Sequence, residues 1–184
     1  MARKIVFNEK VILEKTKDFI QEKGIESLNA RDLCKYIGCS TQPLFKNFGS
    51  MEGLKVELKI YLHHYYEEFI YKIVNKKDYL YTISYAYSLF ALKRPNIFKA
   101  LFMSDLAGTR TIKEVLQSSW NLETIESIPK QYGLTKQQAE RFYRDIRFYT
   151  HGLACQIACY SILVTEEEIN KLINDLISKL KKVI

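Results

Sequence analysis

The sequence predicts an all-α protein of about nine helices, and three observations support this fold class. Glycine and proline are scarce, with seven and three among 184 residues, so few residues interrupt regular structure. Apolar residues recur with the 3.6-residue period of an amphipathic helix. Residues that cap helix N-termini stand at the start of several of these periodic stretches.

The N-terminal part of the chain predicts three short helices, over about residues 8–23, 29–38 and 41–48. Asn8 is placed to cap the first of them. The second and third are joined so closely that they predict a helix-turn-helix. In that motif the second helix lies in the DNA major groove and the first braces it across the backbone.

The rest of the chain predicts further helices, with no internal repeat and no convincing strand pair. Within residues 111–132 the pattern is less regular, and Pro129 is expected to bend or break the helix. Capping boxes open the last two helices, formed by Thr135 with Gln138 and by Thr165 with Glu168. The predicted spans are about residues 51–74, 78–93, 95–103, 111–132, 135–163 and 165–184.

The residues at 29–48 satisfy the geometric needs of a helix-turn-helix. Gly38 suits the turn, Ser40 can cap the reading helix, and Cys34 is small enough for close helix approach. The apolar residues expected to hold the two helices together are Leu33, Ile37, Leu44 and Phe48.

The remaining positions of the motif are expected to face DNA. Glutamine and asparagine can pair with adenine through two hydrogen bonds, and threonine can contact a base or a methyl group. Ser40 and Lys46 suit phosphate contact, as do free N–H groups at helix starts. The candidate exposed residues are Arg31, Thr41, Gln42, Lys46 and Asn47.

Residues 24–54 resemble the DNA-binding domain of TetR/AcrR-type repressors. The likeness covers residues 24–34 and 38–48, and it continues through Gly49-Ser50 and Glu52-Gly53-Leu54 at the expected offsets. This combination is more specific than a helix-turn-helix alone. The resemblance implies that the chain binds double-stranded DNA.

Three positions depart from the pattern of that family. Phe45 stands where the family usually has tyrosine, Met51 where it has lysine, and Asn29 where it has threonine. Lys55, one helical turn after Met51, is a candidate to replace the lost lysine contact. Phe45 and Asn29 remain candidate DNA-binding residues. Fewer phosphate contacts predict a shallower salt dependence of DNA binding.

The resemblance divides the chain into a DNA-binding domain at 1–48 and a helical effector-binding and dimerisation domain at 49–184. In this family the last two helices of two chains form a four-helix bundle, and the wide apolar stripe of the last helix, which runs to Val183 and Ile184, is consistent with that. The alternative is that these stripes form only the core of a single chain. The candidate dimer residues are Tyr149, Ile157, Ile169, Leu172, Ile173, Leu176 and Leu180.

A small-molecule effector is expected to bind among the middle helices. The chain has 13 tyrosines, and tyrosine lines cavities with both apolar surface and hydroxyl groups. The alternative is that the same side chains are ordinary residues of the hydrophobic core. The candidate pocket residues are Tyr85, Phe102, Trp120, Phe148, His151 and Cys155.

Charge and motifs also bear on which functional classes fit this protein. The net charge of +7 is spread along the chain, so it supports a nucleic-acid partner only weakly. The four cysteines lack zinc spacing and are interpreted as free thiols rather than as metal or redox groups, and the adjacent His63 and His64 point in different directions. No phosphate loop, H-E-x-x-H or G-x-S-x-G motif is present, so we expect no enzyme activity, cofactor or metal.

These observations predict a cytoplasmic, dimeric DNA-binding regulator. Its first residues lack a signal-peptide pattern, and its longest apolar stretch, 151–164, is too short to span a bilayer. The family resemblance implies a repressor that a small-molecule effector releases from a near-palindromic operator. The alternative is a helical interaction or membrane-surface module without an effector, which the basic end of the last helix suggests.

Overall fold

The structure is a computed structural model that describes residues 7–183, apart from the side chain of Ser119. Within that range the chain forms ten α-helices and no strand, which confirms the all-α class. Ile184, assigned to the apolar stripe of the last helix, lies outside the described residues. The helices are α1 Glu9–Lys23, α2 Ala30–Ile37, α3 Thr41–Phe48, α4 Met51–Tyr71, α5 Tyr79–Lys93, α6 Pro95–Phe102, α7 Ile112–Leu116, α8 Ser119–Tyr132, α9 Lys136–Ala158 and α10 Glu166–Lys181.

Three of the predicted helix starts coincide with observed capping bonds. The Asn8 side chain accepts a hydrogen bond from the Val11 N–H at 2.9 Å and so caps α1. Both predicted capping boxes are present, because Thr135 caps α9 and Thr165 caps α10 with reciprocal side-chain bonds. Pro95 occupies the first turn of α6, where its missing N–H is least costly.

Pro129 was predicted to bend or break the helix over residues 111–132, and a break at Pro129 is wrong. The break falls at residues 117–118, between α7 and α8, and Pro129 lies inside α8. The Val115 carbonyl at the end of α7 accepts hydrogen bonds from the side chains of Ser118 and Asn121. These side chains replace the backbone bonds that would have continued the helix. Pro129 is tolerated because it lies in the last turn of α8.

The helix that opens at Thr135 also ends earlier than the predicted residue 163. It stops at Ala158, because Tyr160 adopts a left-handed backbone with φ of 55°. The N–H groups of Tyr160 and Ser161 then bond back to the carbonyls of Ile157 and Gln156. This closure normally uses glycine, so a tyrosine in its place gave no sequence signal.

The chain divides into two compact units. The first unit consists of the described residues up to Glu67 together with Arg94–Ala107. Its core is built from α1, α2, α3, the first part of α4 and α6. The fully buried side chains there include Ile12, Ile20, Leu33, Leu44, Leu54 and Phe98.

The second unit consists of Glu68–Lys93 and the described residues from Gly108 onward. Helix α5 packs along α9, and both α8 and α10 pack against this pair. Leu80, Phe90, Phe142 and Ile146 are fully buried at its centre. Among the described residues, no helix is both long and apolar enough to cross a membrane.

Candidate nucleic-acid interface

The turn between α2 and α3 depends on Gly38. This residue has φ of 79° and ψ of 36°, the left-handed conformation. Its N–H and that of Cys39 both donate to the Cys34 carbonyl, at 2.9 and 3.0 Å. An L-residue with a side chain is disfavoured there by roughly 1–2 kcal/mol. A glycine therefore lets α2 end and α3 begin within three residues.

Apolar contacts hold the two helices in the first unit. Leu33, Cys34 and Leu44 are buried, with exposures of 0%, 4% and 1%. Ile37 and Phe48 are only half-buried. The predicted apolar residues therefore do pack together, and Leu33 and Leu44 are more completely buried than Ile37 and Phe48.

The N-terminus of α3 is open to solvent. Ser40 occupies the N-cap position with an extended backbone, but its hydroxyl makes no capping hydrogen bond. The prediction that Ser40 is the N-cap residue is confirmed, but its side chain does not make the expected capping bond. Thr41 and Gln42 follow and are exposed. Free N–H groups at the start of a helix attract anions, and here they lie beside the exposed Ser40.

Asn47 uses its amide group within the chain. Its Nδ2 donates to the Pro43 carbonyl at 2.7 Å and to the Phe7 carbonyl at 3.2 Å. Both amide hydrogens are therefore engaged, although the side chain is exposed. A paired contact with adenine needs one of these hydrogens. The predicted base contact through Asn47 would require it to leave at least one of these carbonyls.

Asn29 has a defined structural role at the start of α2. Its Oδ1 accepts from the Asp32 N–H at 2.9 Å, and its Nδ2 donates to the Asp32 carboxylate at 2.7 Å. These bonds confirm that Asn29 caps the helix. Arg31, in the first turn of α2, is exposed.

The other candidate contacts on and after α3 differ in their availability. Lys46 is exposed and Phe45 is 41% exposed. Lys55 is half-buried, and its Nζ lies 2.9 Å from the Glu52 carboxylate. An exposed pair of this kind contributes about 0–1 kcal/mol. A phosphate could therefore compete with Glu52 for Lys55.

A polar cluster lies between α5 and α9 in the second unit. The Tyr87 hydroxyl is hydrogen-bonded to His151 Nδ1 at 2.8 Å, and Cys155 Sγ lies 3.6 Å from His151 Nε2. The Arg147 guanidinium lies over the Tyr87 ring at 4.6 Å. Burial and then the charge of Arg147 lower the pKa of His151, so the neutral ring is favoured. Burial raises the pKa of Tyr87 to about 12.

Of the six predicted pocket residues, His151 and Cys155 lie in direct contact with each other. Trp120 packs on Tyr71 with ring centroids 4.6 Å apart, whereas Phe148 is 47% exposed. The Tyr85 hydroxyl lies 3.5 Å from the Glu166 carboxylate. Phe102 belongs to the first unit, where its ring packs against Tyr66, Phe98 and His63.

Sequence reasoning missed Tyr87 and Arg147 as members of the polar cluster. Tyr87 is 64 residues from His151 in the chain, and it sits in a helix that is apolar on nearly every side. No local pattern therefore separated it from the other tyrosines.

The predicted dimer residues fall into two groups. Ile157, Ile169 and Ile173 are buried within the single chain, with exposures of 3%, 0% and 0%. They offer almost no surface to a partner, because α9 and α10 pack them into their own unit. The members that retain accessible surface are Tyr149, Leu172, Leu176 and Leu180.

Two solved structures with the same architecture are TetR proteins. A TetR variant from Acinetobacter baumannii AYE, in complex with minocycline, superimposes with a TM-score of 0.59 over 96% of this chain and 97% of its own, at 16% identity. A TetR transcriptional regulator from Rhodococcus sp. RHA1 gives a TM-score of 0.51 over 93% of each chain, at 14% identity. The chain has the TetR fold. No protein-family model and no curated protein matches the sequence.

The TetR fold accounts for the helix order on both sides of the predicted boundary at residue 48. The likeness spans the helix-turn-helix and the later helices alike, since it covers nearly the whole chain. The functional boundary itself stays a prediction, because the first compact unit also includes residues well beyond it.

Proposed function

We propose that this chain is a DNA-binding transcriptional regulator without enzymatic activity. The observation that carries the proposal is the open N-terminus of α3, where Ser40, Thr41 and Gln42 are exposed and no side chain caps the helix. This end can take a phosphate while the adjacent side chains reach base edges. The TetR fold supports the same function.

The individual roles follow from exposure and hydrogen bonding. Gln42 and Thr41 are the base-reading residues, and Ser40, Lys46 and Arg31 contact phosphates. Asn29 and Asn47 position the two helices, because their amides are engaged within the chain. Phe45 provides apolar contact, and Lys55 provides a phosphate contact once released from Glu52.

We propose that the regulator acts as a homodimer through α9 and α10. Leu172, Leu176 and Leu180 recur every four residues along α10 and are half-buried in the single chain. Phe148 and Tyr149 on α9 are 47% and 41% exposed. Apolar groups of this size are stabilised when a partner covers them. A two-fold dimer would read a near-palindromic operator.

A small-molecule effector is the proposed signal, and repression is the proposed outcome. The minocycline complex shows that a TetR regulator of this fold binds a drug-sized molecule. In this chain the polar cluster between α5 and α9 supplies hydrogen-bonding groups that could orient such a ligand. Effector and DNA would then weaken each other's binding by the same factor.

The test of the central proposal is fluorescence anisotropy with DNA from upstream of the gene. Gln42→Ala should reduce discrimination between operator and altered sequences by about 1–3 kcal/mol per lost paired contact. Gln137→Ala is the matched control, because Gln137 is also an exposed second residue of a helix. The proposal is refuted if no DNA is bound below micromolar concentration, or if both variants behave alike.

The alternative of a membrane-surface module has its own discriminating experiment. Lys179, Lys181 and Lys182 lie at the end of α10, but its first turn carries Glu166, Glu167 and Glu168. Co-sedimentation with anionic vesicles, at a protein concentration where DNA is not bound, would favour this alternative.

A further inference from the structure

Two of the four cysteines meet at the turn between α2 and α3. Cys34 is buried with 4% exposure, and Cys39 is only half-buried. The Cys39 N–H donates to the Cys34 carbonyl at 3.0 Å. This closure of a helix end brings a side chain just beyond the helix against a side chain of its last turns. The backbone therefore holds Cys39 over Cys34.

The environment of the Cys34 thiol agrees with this placement. Burial, with smaller contributions from the charge and hydrogen bond of the Cys39 thiol, raises the pKa of Cys34 to about 11. The placement of Cys39 beside Cys34 stands on the backbone closure of the helix end.

We propose that Cys34 and Cys39 form a dithiol site, that a hydroperoxide oxidises it to a disulfide, and that the disulfide weakens DNA binding. This revises the sequence-based interpretation of these cysteines as inert free thiols. The oxidation of the site stands on the backbone closure that places Cys39 beside Cys34 and on the burial of the two residues. The effect on DNA rests on the proposed function.

The different exposures of the two thiols assign their roles. The half-exposed Cys39 is the thiol that a peroxide can reach. Its thiolate attacks one peroxide oxygen, the O–O bond breaks, and an alcohol leaves while Cys39 becomes a sulfenic acid. The Cys34 sulfur then attacks the Cys39 sulfur, and the hydroxyl leaves as water with the Cys34 proton.

The reaction balances without a further reagent. Two thiols and one hydroperoxide give one disulfide, one alcohol and one water. The thiols lose two electrons, and these electrons reduce the O–O bond. A dithiol reductant reverses the change by thiol–disulfide exchange.

The position of the site explains why oxidation would affect DNA binding. A disulfide holds its two sulfur atoms at about 2.0 Å, so it would tie Cys39 covalently to α2. Cys39 immediately precedes Ser40 and Thr41, the start of α3. The covalent tie would fix the turn and so restrict the adjustment of the N–H groups and side chains that the proposed DNA contact uses.

The experiment isolates this pair from the other two cysteines. Cys155 lies in the last turn of α9 and Cys159 is its C-cap residue, so the test protein carries Cys155→Ser and Cys159→Ser. After treatment with hydrogen peroxide and alkylation, mass spectrometry should find an intrachain Cys34–Cys39 disulfide that dithiothreitol removes. The matched control adds Cys39→Ser, a small change at a half-exposed position, and should form no disulfide.

DNA affinity is measured on the same samples by fluorescence anisotropy. We expect oxidation to raise the Kd by at least about tenfold, reduction to restore it, and the Cys39→Ser protein to be insensitive to peroxide. Circular dichroism confirms that each variant is folded.

Several results would overturn the proposal. The dithiol site is refuted if Cys34 and Cys39 both remain alkylatable, if Cys39 proceeds to a sulfinic acid, or if only interchain disulfides form. Its regulatory role is refuted if the intrachain disulfide forms and the Kd is unchanged. If the reduced protein binds no DNA, the proposed function fails instead, and mass spectrometry still decides the dithiol chemistry.

Discussion

Replacing Gly38 by alanine should destabilise the first unit through backbone conformation alone. Gly38 has φ of 79°, and a Cβ built on it meets no atom within 4 Å. Steric crowding by neighbours therefore contributes nothing to the change. The left-handed conformation costs alanine roughly 1–2 kcal/mol. The stiffer unfolded chain offsets about 0.4–1 kcal/mol of this, which leaves a loss of about 1 kcal/mol.

Two other glycines serve as matched controls. Gly133, at the end of α8, is also left-handed with φ of 71° and open space around it. Gly133→Ala should therefore destabilise by a similar amount, about 1 kcal/mol. Gly152 lies inside α9, again with nothing within 4 Å. There alanine is the better helix former, and Gly152→Ala should stabilise by about 1 kcal/mol.

The free energies of unfolding are measured by urea titration, with thermal unfolding as a check. In a chain of this size 1 kcal/mol corresponds to about 2–4 °C in Tm. DNA binding is measured in parallel, and only Gly38→Ala should weaken it, because only Gly38 sets the turn before α3. A change of the same sign at Gly38 and Gly152 would refute this reasoning.

Three further predictions concern the second unit. Aspartate at both Leu172 and Leu176 should shift the protein from dimer to monomer in light scattering at tens of micromolar, whereas aspartate at the exposed Lys171 should not; a stable dimer in the double variant would place the interface elsewhere. The Tyr160→Gly variant should have a free energy of unfolding about 1 kcal/mol above that of Tyr160→Ala, since glycine relieves the left-handed strain at φ of 55° and its more flexible unfolded chain offsets only part of that gain. Equal stabilities in urea would show that residue 160 carries no such strain. The pKa of His151 lies below its ordinary value of 6.5, so the unfolded chain binds the proton more readily and stability should fall as the pH drops below 6.5. His151→Gln should flatten that part of the pH–stability curve, and an unchanged curve would contradict the assignment.

Most of the fold could be predicted because its signals are local. Asn8, Thr135 and Thr165 mark helix starts through bonds to residues three positions away. The errors arose where the local signal misleads. Pro129 is tolerated near a helix end, and Tyr160 ends α9 in a conformation that usually belongs to glycine.

The sequence predicted which segment forms the candidate site. It did not predict the hydrogen bonds that individual side chains make there. The turn at Gly38 and the exposure of Gln42 follow from motif spacing and helix period. The engagement of Asn47 could not be predicted, because one of its partners is the Phe7 carbonyl, 40 residues away. The sequence also could not predict that the Ser40 hydroxyl makes no capping hydrogen bond, because that depends on the side-chain rotamer.

The sequence by itself determined the helices, their caps and the helix-turn-helix, because these depend on interactions within about one helical turn. Only the tertiary structure decided which members of an apolar stripe are buried and which stay accessible, as Ile173 and Leu172 show at adjacent positions on α10. It also joined Tyr87 to His151 across 64 residues. Periodicity places a side chain on a face, but only packing against distant elements decides what covers that face.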